Sequence, residues 1–330
     1  MCSSDLGGIG IQVEMKDGQV TIIAPIADTP GEKAGIRRGD KILGVDGKLF
    51  DKPTLDKTVE RLRGKPGTTV TLMLRRPLED KSFDVKITRE VVKVTSVRDA
   101  HIIEPGVGYV QITAFTDHTG VEFSKALTKL QEQGMKSLVL DLRNNPGGVL
   151  DAAVAVAEPF FKPGELIVYT QGRTPESREE FRAGKSARSL SVPLAVLVNS
   201  GTASASEIVS GALKDTGRAV LVGETTFGKG LVQTVLKLPN GDGLRLTTAK
   251  YYTPNGISIQ AKGIVPQIPV AVTLQEEDNL RIQRLRTDLA DPKEFKERFG
   301  SEPVADRQLQ TAVDVLKGIE AYDASLSKSR

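Results

Sequence analysis

The chain has 330 residues, enough to bury a sizeable core and to divide into two or three domains. Its 45 basic and 42 acidic residues leave a formal charge of only +3, which points to no polyanionic partner and to no nucleic acid. The single cysteine, Cys2, excludes an internal disulfide framework and a cysteine-built metal site. No stretch approaches the roughly eighteen apolar residues that a membrane-spanning helix needs. The opening Met1-Cys-Ser-Ser-Asp-Leu6 has no apolar core of the kind a signal peptide carries and does not fit the residues after it. It reads as a foreign or truncated start over residues 1–6, with any targeting segment expected outside this chain.

Residues 7–92 read as one unit. Gly8-Ile-Gly-Ile-Gln-Val13 alternates as a strand does, and Gln19-Val-Thr-Ile-Ile-Ala24 is a second strand. Thr54-Leu-Asp-Lys-Thr-Val-Glu-Arg-Leu62 puts Leu55, Val59 and Leu62 on one helical face. Residues 68–75 and 82–88 supply closing strands. Between these elements runs Thr29-Pro-Gly-Glu-Lys-Ala-Gly-Ile-Arg-Arg-Gly-Asp-Lys-Ile42. That segment resembles the P-A-x-x-A-G-[IL]-x-x-G-D-x-I pattern of PDZ domains. The resemblance implies a β-rich domain that captures an extended C-terminal tail by strand addition. It places the carboxylate-binding loop on Gly8, Ile9, Gly10 and Ile11, beside a groove helix bearing Leu55 and Val59.

From residue 93 to about 270 strands and helices alternate, the mark of a layered α/β core. Gly108-Tyr-Val-Gln-Ile-Thr113 is a strand, and residues 120–133 form an amphipathic helix closed by Gly134. Ser137-Leu-Val-Leu-Asp-Leu-Arg-Asn-Asn-Pro-Gly-Gly-Val-Leu150 is a buried strand that ends in a polar, glycine-rich turn. Backbone N–H groups after such a turn are available to an oxyanion. Residues 173–191 are polar and charged and read as a hairpin or loop. Leu194-Ala-Val-Leu-Val198 is a short apolar strand, Asn199-Ser-Gly-Thr202 a turn, and the stretch from Ala203 a helix of small residues. A serine at this handover lies near free N–H groups and the positive end of a helix. A nucleophile that turns a carbonyl into an oxyanion needs that environment.

Arg218-Ala-Val-Leu-Val222 is the next apolar strand, followed by the loop Gly223-Glu-Thr-Thr-Phe-Gly-Lys-Gly230. Lys229 has Phe227, Leu231 and Val232 as sequence neighbours. An apolar pocket would strip its hydration and favour the neutral amine. Such an amine can take a proton from a serine hydroxyl. Gln233, four positions on, points the same way if the segment is a strand, and could orient the lysine. The loop also comes close to the phosphate-binding pattern G-x-x-x-x-G-K-[ST]. It fails at Gly230, where a hydroxyl should hold magnesium, and again downstream, where Leu231–Leu238 alternates like a strand. His101 and His118 lie near loop signals without a motif around them and read as surface residues.

Together these segments closely resemble the carboxyl-terminal processing (tail-specific) proteases of peptidase family S41. The resemblance runs from about residue 7 to at least 267, and Gly243–Gly256 and Lys262–Pro266 also match it. It implies a PDZ domain followed by a layered α/β, ClpP- or crotonase-like protease core over 93–270. It assigns Ser204 as nucleophile, Lys229 as general base and Gln233 as the residue that orients the lysine. The oxyanion donors it implies are the N–H of Ala205 and that of Gly147 or Gly148. Ser200, Ser206 and Ser210 are then structural. No metal or organic cofactor is required. The departures are the missing helical region that usually precedes the first glycines, and Asp117-His118-Thr119 in place of Glu-Asn-Thr.

Residues 271–330 are charged and helical. Leu309, Val313 and Leu316 form one apolar stripe, read either as core or as a contact between copies in a homo-oligomer. The reading is a serine endopeptidase with a Ser/Lys dyad, acting near the C-termini of protein or peptide substrates with nonpolar tails, with an adaptor as a further partner. By resemblance it works in the bacterial periplasm or envelope. Two alternatives stand beside it: a catalytically silent PDZ scaffold, and a crotonase-like enzyme of acyl transfer.

Overall fold

The structure is a computed structural model. It describes residues 7–328 except 17, 26–28, 38, 78–79, 93–94, 186–188, 238–242, 286–291 and 300. The opening residues 1–6, read as a foreign start, therefore lie outside the described residues. The chain forms two units, Met1–Val94 and Thr95–Arg330.

In the first unit the short alternating runs become antiparallel strands: β1 (Ile11–Lys16), β2 (Gln19–Pro25), β3 (Lys41–Val45), β4 (Lys48–Leu49), β5 (Thr69–Arg76) and β6 (Lys81–Thr88). The sheet order is β1-β2-β3-β5-β6, with β4 on β3. Two helices join them, α1 (Pro30–Lys33) and α2 (Leu55–Leu62). Val70, Leu72 and Leu74 alternate inward along β5 and meet Ile9, Val20, Ile22, Ile42 and Leu62 in one core. The Gly39-Asp40 pair of the motif has a structural task. Asp40 is fully buried and receives the Arg76 guanidinium through two 2.8 Å hydrogen bonds. It also accepts the Arg37 N–H at 2.8 Å, which fixes the turn that enters β3.

The second unit begins with β7 (Val97–Glu104), β8 (Val107–Ile112), α3 (Thr119–Glu132), β9 (Ser137–Asp141) and α4 (Leu150–Ala157). It continues with β10 (Leu166–Gln171), β11 (Glu179–Arg182), β12 (Leu194–Val198), α5 (Ala205–Asp215), β13 (Val220–Gly223), β14 (Leu231–Lys237) and β15 (Gly243–Tyr252). It ends with β16 (Ile268–Pro269), α6 (Leu274–Leu285), α7 (Pro292–Phe299) and α8 (Arg307–Lys328). The main sheet runs β16-β13-β12-β9-β8-β7. All its pairs are parallel except β7 on β8. A smaller antiparallel sheet has the order β11-β10-β15-β14.

The parallel strands read as continuous apolar runs because both faces are covered. On one face Val110, Leu138, Leu140, Val196, Val198 and Leu221 pack against α3, α4 and α5. On the other face Tyr109, Val139, Ala195, Leu197 and Val222 pack against Ala312, Val313 and Leu316 of α8. The stripe on α8 is thus core of its own chain, with Leu309 at its margin. This removes the oligomer reading of that stripe.

Buried charge joins α8 to the sheet. Asp141, at the end of β9, accepts the Tyr109 hydroxyl at 2.8 Å and the Arg143 guanidinium at 2.6 Å. Arg143 reaches on to Asp306 at 2.8 Å and to Gln308 at 3.0 Å, and Arg284 adds a second cation to Asp306 at 2.7 Å. Burial alone would raise the carboxyls of Asp141 and Asp306, yet the two arginines and their hydrogen bonds outweigh it and hold both below the ordinary carboxylate range. A depressed native pKa contributes stability that is complete above the unfolded value, about 4 for aspartate, and is lost as pH falls through the native value. Docking of α8 should therefore hold above about pH 4 and weaken progressively below it. Thermal melting against pH measures this. A melting temperature that stays level as pH falls well below the aspartate range would refute it.

Candidate active site

Three adjacent parallel strands, β9, β12 and β13, deliver the three loops singled out in the sequence at one edge of the sheet. In open α/β sheets the carboxyl ends of the strands are where sites form. The loop after β9 carries Gly147 and Gly148. The turn after β12 carries Ser204 and opens α5. The loop after β13 carries Lys229 and runs into β14.

Ser204 sits at the N-terminus of α5 with φ +57° and ψ −117°, in left-handed space that a non-glycine residue enters only at a cost. The Ala205 N–H, the first of α5, has no described acceptor. Gly147 lies directly against the serine. A Cβ there would stand 2.7 Å from Ser204 Cβ and 2.6 Å from the Ala203 carbonyl oxygen, so only glycine lets the two loops meet. Gly148, at φ +149°, has no room either, because its Cβ would meet the Phe115 carbonyl oxygen. The two glycines differ in what their N–H groups do. The Gly147 N–H donates to Asn145 Oδ1 at 2.9 Å. The Gly148 N–H donates to no described acceptor.

Glu207 ties the serine turn to the lysine loop, and sequence reasoning gave it no role. It is fully buried. Its Oε2 accepts the N–H of Ser204 at 2.8 Å and of Lys229 at 2.9 Å. Its Oε1 accepts the Gly228 N–H at 2.7 Å and the Thr226 hydroxyl at 2.5 Å. The signal was present as Ser204-x-x-Glu207, the spacing of a capping box, in which the third helical residue reaches back to the cap N–H.

Lys229 departs from expectation. It is exposed, and Phe227 beside it is 69% exposed, so the apolar pocket expected around the amine is not formed. The loop alternates, with Thr226, Gly228 and Gly230 buried and Phe227 and Lys229 turned outward. Gly228 and Gly230 are the inward positions because backbone at 260–263 lies against them. Among the described hydrogen bonds none joins Lys229 Nζ to Ser204 Oγ. Gln233 is exposed on β14 and makes no described hydrogen bond to Lys229. A register shift between Val232 and Gln233 breaks the simple alternation by which the pair would share a face.

Ser206 and Ser210 are structural in their contacts, while Ser200 is exposed. Ser206 Oγ donates to the Asn145 carbonyl at 3.0 Å and Ser210 Oγ to the Ser206 carbonyl at 2.9 Å, both buried. His101 on β7 and His118 before α3 are exposed. The loop from Gly223 leads into a strand, as a phosphate loop would not.

In the first unit, Gly8 and Glu90 exchange backbone hydrogen bonds of 2.9 and 3.0 Å, so the Gly8 N–H is occupied. The Ile9 and Gly10 N–H groups have no described acceptor, and the Ile9 side chain is in the core. Thr29 Oγ1 donates to the Gly10 carbonyl at 3.0 Å, where Gly10 has φ +71°. Leu55 and Val59 are half-buried on α2.

Comparison with known proteins identifies the family and both domains. The model of peptidase family S41 matches residues 106–270, and the PDZ domain model matches residues 7–87. The chain is 40% identical over 329 residues to the carboxy-terminal-processing protease of Bartonella bacilliformis, covering 95% of this chain and 75% of that protein. The chain belongs to peptidase family S41. A second relative, the carboxyl-terminal-processing protease of Picosynechococcus sp., is 40% identical over 291 residues, covering 85% of this chain and 70% of that protein. Among solved structures, the photosystem II D1 C-terminal processing protease is 34% identical with a TM-score of 0.52, covering 82% of this chain and 73% of that one. This S41 chain is thus a serine peptidase carrying a PDZ domain, and it acts on protein or peptide substrates.

Proposed function

We propose that this peptidase cuts proteins near their C-termini, using Ser204 and Lys229 as a catalytic dyad after the PDZ domain has captured a nonpolar tail. The observation that carries this reading is the placement of Ser204, in strained backbone against Gly147, with the lysine loop tied to the same turn by Glu207. The neutral Lys229 amine takes the proton of Ser204 Oγ as that oxygen bonds to the scissile carbonyl carbon. The N–H groups of Ala205 and Gly148 receive the oxyanion. Lys229 then returns the proton to the leaving amine, the C–N bond breaks, and water releases the acyl group from Ser204. The role of Gln233 in steadying the lysine rests on the family resemblance alone and requires the two side chains to meet in the substrate complex, since no described hydrogen bond joins them here.

Exposure of Lys229 and Phe227 gives the substrate a part in this. A peptide lying over the loop covers both side chains, removes water from the amine and brings it to the serine. Catalytic hydrogen bonds are often long in the absence of substrate and tighten in the Michaelis complex.

Tail capture is assigned to the N–H groups of Ile9 and Gly10 for the carboxylate, and to the groove beside Leu55 and Val59 for the last side chain. The names of the relatives support processing at C-termini. A substrate ending in an apolar residue should be cut several-fold faster than one ending in Asp or Lys. A free C-terminal peptide should compete, whereas its amidated twin should not. Equal effects of the two peptides would remove carboxylate recognition by the PDZ domain. The periplasm or envelope is the compartment this reading assigns, and fractionation of cells carrying the native gene tests it.

A further inference from the structure

Each of the two loops that face each other at Ser204 is also held from the outside by the C-terminal helices. The loop after β9 is gripped at Arg143, whose guanidinium lies between Asp141 at its base and Asp306, the residue just before α8. Gln308 on α8 adds a 3.0 Å contact to the same guanidinium. Five residues on stands Gly148. The turn after β12 is gripped at Asn199. Its Nδ2 donates to Glu277 of α6 at 2.7 Å and to Asn144 Oδ1 at 3.0 Å. Its Oδ1 accepts the N–H groups of Asn144 at 2.8 Å and Gly201 at 3.2 Å. Asn199 therefore laces the two loops together, and Glu277 fixes the lace. Asn144 itself sits at φ +57°, a backbone state that persists only where its surroundings impose it.

We propose that the C-terminal helices clamp the two catalytic loops in register, with Asp306 acting through Arg143 and Glu277 acting through Asn199 as positioning residues for the oxyanion donors. The proposal rests on the reading of Ser204, Ala205 and Gly148 given above. The physical reason is the tolerance of an oxyanion site. Its donors must stand within hydrogen-bond reach of an atom that becomes charged only in the transition state, so a loop displaced by a fraction of an ångström loses turnover more than binding. A cleft edge made of loops needs an external brace to hold such tolerances, and these helices supply two.

The test uses the full chain and a fluorogenic peptide. Asp306→Asn keeps the cap on α8, because the Asp306 carboxylate accepts the Leu309 N–H and asparagine caps equally well. It removes the charge that Arg143 needs. Glu277→Ala removes the acceptor for Asn199, whereas Glu277→Gln retains an oxygen acceptor there. Val313→Ala loosens α8 in the core without touching either loop.

Loss of one oxyanion donor costs about 100-fold to 1,000-fold in turnover, so partial displacement should lower kcat on the order of tenfold in Asp306→Asn and in Glu277→Ala. KM should stay within about twofold, and Glu277→Gln should restore kcat. Val313→Ala should lower the melting temperature at unchanged kcat. The clamp is overturned if Asp306→Asn and Glu277→Ala keep wild-type kcat, or if Val313→Ala loses as much kcat for the same fall in melting temperature. Ser204→Ala runs alongside. Full cleavage by that variant overturns the site reading and the clamp with it, whereas an inert Ser204→Ala beside unaffected clamp variants overturns the clamp alone.

Discussion

Ser204→Ala folds and does not cut. Removing a covalent nucleophile should lower the rate of peptide-bond cleavage by several orders of magnitude, on the order of the 10⁴- to 10⁶-fold losses seen when a nucleophile or its base is deleted. Lys229→Arg should fall by a similar factor, because a guanidinium stays protonated and cannot serve as a base. The backbone supplies a second readout. Ser204 holds φ +57°, so alanine inherits the strain of that turn and glycine does not. Ser204→Gly should therefore be equally inert, yet melt above Ser204→Ala by an amount corresponding to about 0.5–1 kcal/mol. Single-turnover assays and thermal melts of the purified variants check both. Wild-type cleavage by Ser204→Ala, once contaminating protease is excluded, ends the assignment of the nucleophile. A Ser204→Gly variant that melts below Ser204→Ala ends the claim of stored strain.

The parts of this site that repeat a local pattern were legible in the sequence. An apolar run, a turn cluster and a helix of small residues predicted β12, the Ser204 turn and α5 with nearly the observed bounds. The glycine pair in the loop after β9 was legible as a polar turn with N–H groups free for an oxyanion, whereas the close approach of Gly147 to Ser204 is what the structure adds. The PDZ motif likewise carried its turn chemistry on its face. Lys229 was harder, because its sequence neighbours were apolar but its spatial neighbours are few. Whether Phe227 encloses an amine or points to solvent depends on which positions of the loop the backbone at 260–263 turns inward. The braces were out of reach. Arg143 meets Asp306 and Asn199 meets Glu277 across long stretches of chain, and pairs of that kind leave no period or spacing in a sequence. The α8 stripe was ambiguous on equally physical grounds, since an apolar face predicts burial without saying against what.

Glu207→Gln should be nearly as damaging as Glu207→Ala, although it changes only one atom and the formal charge. The carboxylate accepts from four donors, two on each oxygen: Thr226 and Gly228 on Oε1, Ser204 and Lys229 on Oε2. A carboxylate suits this cradle because both of its oxygens are acceptors. An amide has only one. Whichever way the amide of Glu207→Gln is turned, its NH₂ group faces two groups that were donating to the side chain. With the nitrogen toward Ser204 and Lys229, both backbone N–H groups lose their acceptor in a buried site. With it toward Thr226 and Gly228, the threonine hydroxyl can rotate to accept, but the Gly228 N–H cannot. The second orientation is the less costly, yet it leaves the Gly228 N–H without an acceptor and turns the Thr226 O–H, whose oxygen already accepts the Ile264 N–H at 2.7 Å, away from its own, at about 1–3 kcal/mol for each unsatisfied donor. Glu207→Ala leaves all four without the side chain, though water can enter the space it vacates. Because the lost bonds join the serine turn to the lysine loop, activity should suffer beyond stability. At temperatures where Glu207→Gln is fully folded, its kcat should still fall about 100-fold, the scale of a displaced group in the reacting geometry. Melting curves measured beside kcat, with substrate at saturation, separate the two effects. A Glu207→Gln enzyme that turns over at the wild-type rate while folded would show that the two loops keep their places without this carboxylate, and the Ser204–Lys229 geometry would then need another support.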